Sequence, residues 1–100
     1  MTRGTTPTFI LTLPVDVDLT TANNVYATFQ QGLTKLTKTG DALTIEGNIV
    51  NVFLSQKETL SFYGGSVEIQ LNWTYADGKR ACTNIVTVPV NKNLIGEVLT

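Results

Sequence analysis

Hydrophobic and polar positions alternate most plainly between residues 66 and 90. Val67, Ile69, Leu71, Trp73 and Tyr75 recur at every second position, with Glu68, Gln70, Asn72 and Thr74 between them. A period of two gives one apolar and one polar face, so this segment predicts a half-buried strand. Asp77-Gly78 suits the two positive φ angles of a type I′ turn, and the chain then returns through Cys82, Val86, Val88 and Val90 to make an antiparallel hairpin. In that register Cys82 falls on the apolar face near Trp73, which predicts a buried, inert thiol.

The same alternation marks the other elements. Phe9, Leu11 and Leu13 alternate with Thr8, Ile10 and Thr12 between Pro7 and Pro14, a first strand bounded by residues that cannot extend a ladder. A second strand starts at Asn24 or Val25 and stops at Gly32. Residues 33–38 carry leucines at helical spacing, but the stretch between Gly32 and Gly40 is too short for a stable helix and reads as a returning strand. Residues 43–46 and 49–54 are two further strands around a Gly47-Asn48 turn. Ser55 followed by Glu58 has the form of a capping box and predicts one or two turns of helix, released by Gly64-Gly65.

Seven or so short strands with regular turn signals predict an all-β fold, an immunoglobulin-like antiparallel β-sandwich with one short helical turn; a small barrel is the alternative. The chain reads as a single domain over residues 1–100. Its expected core is Phe9, Leu11, Val25, Val52, Ile69, Leu71, Trp73, Val86 and Val88. Residues 1–6 form a polar arm with no core of their own. Residues 93–100 form a tail whose Leu94, Ile95, Val98 and Leu99 either pack on the domain or meet a partner, and both ends are expected to contribute to contacts between copies.

Composition narrows the function classes. One hundred residues at 42% hydrophobic content supply one core of ordinary size. A net charge of -1 and a pI near 5.1 offer no basic field for phosphates, so nucleic acid is not an expected partner. No apolar run approaches the ~18 residues of a membrane span, so no membrane partner is expected. Gly4-Thr5-Thr6-Pro7-Thr8 stands where a signal peptide carries its apolar core, which points to synthesis in the cytoplasm. The lone Cys82 agrees with a reducing compartment, where the Asn72-Trp73-Thr74 sequon meets no glycosylating enzyme. The 17 threonines suit the solvated faces of sheets.

Candidate chemistry is sparse. With no histidine, the commonest general base and metal ligand is missing. Asp16 and Asp18 begin a calcium-like spacing but supply too few ligands, and the plain reading is a solvated loop. Asp41 with Glu46, or Glu58 with Glu68, are carboxylate pairs whose spacing demands no acid-base role. Gly64-Gly65 lacks the lysine of a phosphate loop. Tyr26, Phe29, Tyr63, Trp73 and Tyr75 make a sugar platform only if they share an exposed face, and Trp73 and Tyr75 lie on the side expected to be core. No catalytic, cofactor-binding or metal-binding residue is assigned, and no cofactor is expected.

Three segments carry a family resemblance. Arg3-Gly4-Thr5-Thr6-Pro7-Thr8 before an apolar strand, Ser55-Gln56-Lys57-Glu58-Thr59-Leu60-Ser61-Phe62, and the hairpin from Val67 through Ala76-Asp77-Gly78 together resemble small structural proteins of phages and prophages of Gram-positive gut bacteria. The architecture is similar to the immunoglobulin-like N-terminal domain of upper baseplate proteins. This resemblance implies a non-enzymatic part of a virion, in the tail, baseplate or capsid surface, whose partners are further copies of itself or other virion proteins. The alternative is a carbohydrate-binding module that attaches a particle to a cell surface.

Overall fold

Alternating β-branched and aromatic residues, broken by Gly, Pro and Asn, resolve into eight strands and one short helix. The computed structural model describes residues 1–100. Its elements are β1 (Thr8–Thr12), β2 (Asn24–Gln31), β3 (Thr34–Thr39), β4 (Leu43–Glu46), β5 (Ile49–Phe53), α1 (Gln56–Leu60), β6 (Gly65–Thr74), β7 (Arg80–Cys82) and β8 (Val86–Val90). Residues 33–38 do return as a strand, one residue late, leaving Leu33 in the turn. The capping box also forms: the Ser55 hydroxyl accepts from the Glu58 N–H, and the Glu58 carboxylate accepts from the Ser55 N–H at 2.9 Å.

Two antiparallel sheets pack as an all-β sandwich. One has the order β1-β5-β4; the other runs β3-β2-β6, with β7 and β8 both paired to the far side of β6. The likeness to immunoglobulin domains is one of architecture, because here β2 pairs with β3 and β6 in the larger sheet and does not join β5. Between the sheets lie Val25, Ala27 and Phe29 from β2, Val50 and Val52 from β5, and Val67, Ile69, Leu71 and Trp73 from β6. Phe9 of β1 meets Phe29 of β2 across the layers, with ring centroids 5.4 Å apart.

Of the expected core, Val25, Val52, Ile69, Leu71 and Trp73 are buried, while Phe9, Leu11 and Val88 are half-buried against it. Val86 is not core and stays 52% exposed. It lies opposite Ile69 on the edge of the larger sheet, and a three-stranded layer is too narrow to cover that edge.

The β6–β7 hairpin forms, but with different turn chemistry. No non-glycine residue has a positive φ, so Asp77 does not enter a type I′ turn. The Gly78 N–H instead donates to the Tyr75 carbonyl at 3.0 Å, and the Tyr75 N–H donates to the Lys79 carbonyl at 2.9 Å. Gly78 alone takes the left-handed conformation, at φ 86. This is a three-residue loop closed by a glycine bulge.

A second irregularity divides the return strand. Asn72 pairs with Cys82, yet three residues further back Ile69 pairs with Val86, so the return chain holds one extra residue between these pairs. A one-residue slip moves every side chain to the opposite face. Ala81 therefore lies opposite Trp73, and Cys82 turns outward beside Asn72. The thiol is exposed, which corrects the expectation of a buried one.

The termini also differ from the pattern reading. Residues 1–5 are not a free arm. Thr2 bridges Asn91 in parallel, the Asn91 N–H donates to the Met1 carbonyl at 2.7 Å, and the Arg3 N–H donates to the Asn91 carbonyl at 3.0 Å. The Arg3 guanidinium donates to the Phe62 and Leu60 carbonyls and stacks 4.4 Å from the Tyr63 ring centroid. By contrast, the apolar side chains of the tail stay in solvent, with Leu94 90% exposed.

Candidate functional site

The widest opening lies where the narrow sheet leaves the broad one uncovered. It is an apolar groove of about 610 Å³. One wall is the end of β1 and the following turn, with Ile10, Leu11, Leu13 and Val17; the floor is Ile69, Leu71 and Trp73 of β6; the other wall is the irregular stretch from Cys82 to Val86. The bulge shapes this second wall. The Leu71 carbonyl accepts from the Thr83 N–H at 2.9 Å, and the Leu71 N–H donates to the Thr83 hydroxyl at 3.1 Å, so the side-chain oxygen replaces a lost ladder partner. The Gln70 amide donates to the Thr83 carbonyl at 2.9 Å and fixes the loop from the other face.

The β1 wall carries a free edge. Leu54 and Leu13 mark the pairing phase: the Leu54 N–H donates to Pro7 and the Leu13 N–H donates to Asn48, so odd-numbered β1 residues bond to β5. The backbone groups of Thr8, Ile10 and Thr12 consequently point away from β5, on a side where β1 has no neighbour. Such an edge can receive another extended strand.

Titratable groups do not converge on this groove. Its lining includes one residue that carries such a group, Cys82, and that side chain turns outward beside Asn72. Asp18 caps the 3-10 turn Leu19–Thr21; the Thr20 hydroxyl and then the Thr20 N–H, at 3.0 Å, bind the carboxylate and hold its pKa below the ordinary value. Asp16 is exposed in the preceding loop. Glu58 faces Lys38, whose ammonium lies 2.7 Å from both carboxylate oxygens. Burial pushes the Glu58 carboxyl up, but the Lys38 and Ser55 hydrogen bonds outweigh it and the carboxyl titrates below its usual range. Glu58 is thus committed to a structural pair and not to Glu68, which is exposed on β6 opposite Thr87. Asp41 and Glu46 are both exposed, on a 3-10 turn and at the end of β4. No three Cys, Asp or Glu side chains group as a metal site.

The aromatic residues are dispersed. Phe29 and Trp73 are buried, and the Trp73 indole donates to the Tyr75 hydroxyl at 2.9 Å. Tyr63 is exposed at the other end of the molecule under Arg3. Tyr26 alone stands on the polar outer face of the larger sheet, in a shallow depression of about 490 Å³ with Gln70, Asn72 and Arg80. These rings do not make a shared flat platform. No helix is long and apolar enough to cross a membrane.

No family model, curated protein or solved structure matches the chain.

Proposed function

We infer that the chain is a non-enzymatic assembly module, a structural component of a phage particle that works by binding neighbouring protein chains. The observation that carries this reading is apolar surface left open at two places: the groove beside the β1 edge, and the tail with Leu94, Ile95, Val98 and Leu99 in solvent. Side chains of this kind in water are a liability that a protein partner relieves. The resemblance of the Arg3–Thr8, Ser55–Phe62 and β6 hairpin segments to phage structural proteins supports placement in the tail, baseplate or capsid surface. Carbohydrate attachment is the weaker reading, because stacking on a sugar calls for several coplanar exposed rings and the outer sheet offers only Tyr26.

The direct test is to locate the chain in purified particles and to sediment the isolated protein over a range of concentrations. A virion component is recovered in stoichiometric amount and self-associates or binds another virion protein. Absence from particles, together with a monomer that binds no virion protein, overturns the reading.

A further inference from the structure

We propose that copies of this chain join end to end, with the acidic loop end of one seated on the basic α1 end of the next. This rests on the assembly reading above and names the two surfaces that meet.

The molecule measures 46 by 26 by 21 Å. The ten residues of β6 rise about 33 Å, so this strand runs along the longest dimension and the sheets carry the chain from end to end. The loop end gathers the reversals after β1, β3, β4 and β6. There the Leu19 N–H donates to the Gly47 carbonyl at 2.9 Å, the Asn23 N–H donates to the Thr74 carbonyl at 2.8 Å, and Gly40 lines one depression with Leu19 and Thr20. The α1 end gathers the Gly32-Leu33 turn and both terminal segments. The Gln31 side chain donates to the Tyr63 carbonyl at 2.7 Å, Arg3 binds the Leu60 and Phe62 carbonyls, and the Asn93 side chain donates to the Arg3 carbonyl at 2.9 Å.

Side-chain charge divides between these ends. At the loop end Asp16, Asp18, Asp41, Glu46 and Asp77 are set against only Lys79 and Arg80, a net charge of -3. Toward the α1 end Arg3, Lys35, Lys57 and Lys92 are set against only Glu68 and Glu97, a net charge of +2. The remaining two charges, Lys38 and Glu58, are paired at 2.7 Å and cancel. The chain's net charge of -1 is therefore the difference between two opposed ends, and the field runs along the long axis.

Apolar side chains stand exposed at both ends. Val15, beside Asp16 at the loop end, is 94% exposed, and Leu33, Tyr63 and Leu94 are exposed at the α1 end. Opposite charge orients the two ends toward each other, and the apolar side chains gain burial once they meet. Two loop ends, or two α1 ends, repel. The contact is consequently heterologous, and it closes into a ring or continues as a filament.

Sedimentation of the full chain at several salt concentrations, with charge reversal at exposed positions, tests the contact. Raising sodium chloride from about 0.01 to about 0.15 M cuts the screening length from about 30 to about 8 Å and should weaken association by about tenfold or more. Asp16→Lys with Glu46→Lys makes both ends basic, and Lys35→Glu with Lys57→Glu makes both ends acidic. Each double variant alone should stay monomeric at concentrations where the unaltered chain assembles. Mixed in equal amounts they should assemble, because each now supplies the end that the other lacks; recovery on mixing also shows that both are folded. Assembly that persists in salt and in each variant alone overturns the end-to-end contact while leaving the assembly reading intact. Variants that stay monomeric after mixing overturn it too. An unaltered chain that is monomeric at low salt also overturns it; whether the assembly reading falls with it is decided by the particle test.

Discussion

Leu71 and Thr83 are joined twice, backbone to backbone through the Leu71 carbonyl at 2.9 Å and backbone to side chain through the Leu71 N–H at 3.1 Å. The pair seals the point where the return strand gains a residue, and it sets the wall of the groove. Removing the hydroxyl with Thr83→Val leaves the Leu71 N–H without its partner and should cost about 1–3 kcal/mol in urea unfolding, whereas Thr83→Ser keeps the oxygen and most of the stability.

The exposed thiol gives a second expectation. In dilute native protein, Cys82 should react with a thiol reagent at a rate close to that of the unfolded chain, since it lies on the solvent side of β7 opposite Asn72. Protection under these conditions, with the protein shown to be monomeric, is the outcome that contradicts the bulged register.

Burial predicts the effect of core substitutions. Phe29 is fully enclosed and packs at a tilt against the Phe9 ring, so Phe29→Ala should destabilise by about 3–5 kcal/mol. Val86 alternates in the same way along its strand but is half exposed, and Val86→Thr should change stability by no more than about 0.5 kcal/mol. Denaturant midpoints of the two variants, side by side, measure the difference.

Acid stability should depend on Glu58. Its folded pKa is lowered from 4.5, so the unfolded chain binds more protons in this region and stability rises with pH. The contribution is fully present above about pH 4.5 and is lost as pH falls through the lower, folded value. Asp18 acts with the same sign from 3.8. Glu58→Gln should therefore flatten part of the acid limb of a stability-pH profile, and Lys38→Met should do the same by removing the ammonium that favours the charged form.

Arg3 should hold the first residues in place. Arg3→Ala removes the donors to Phe62 and Leu60 and the cation over Tyr63, and should speed amide exchange at the Arg3 and Asn91 N–H groups while leaving β2 and β6 protected. Equal acceleration throughout the sheets would instead mean that Arg3 sustains the whole fold.

The sequence by itself determined the strands, the helix cap and the sandwich. Period-two alternation in β6, the glycine at each reversal and the Ser55–Glu58 box act between near neighbours, so they are legible locally. One clue to the bulge was also present: Ile85-Val86 places two apolar residues in succession and shifts the phase of alternation. Reading Cys82, Val86, Val88 and Val90 as one unbroken face missed it. Only the tertiary structure decided the rest. Whether Val86 is covered depends on the width of the opposing sheet, whether Arg3 is free depends on carbonyls at Leu60 and Phe62 far along the chain, and the groove exists because three strands cannot roof five. These are contacts between segments distant in sequence, and a local pattern of apolar and polar residues carries no information about which distant surface will be there to meet it.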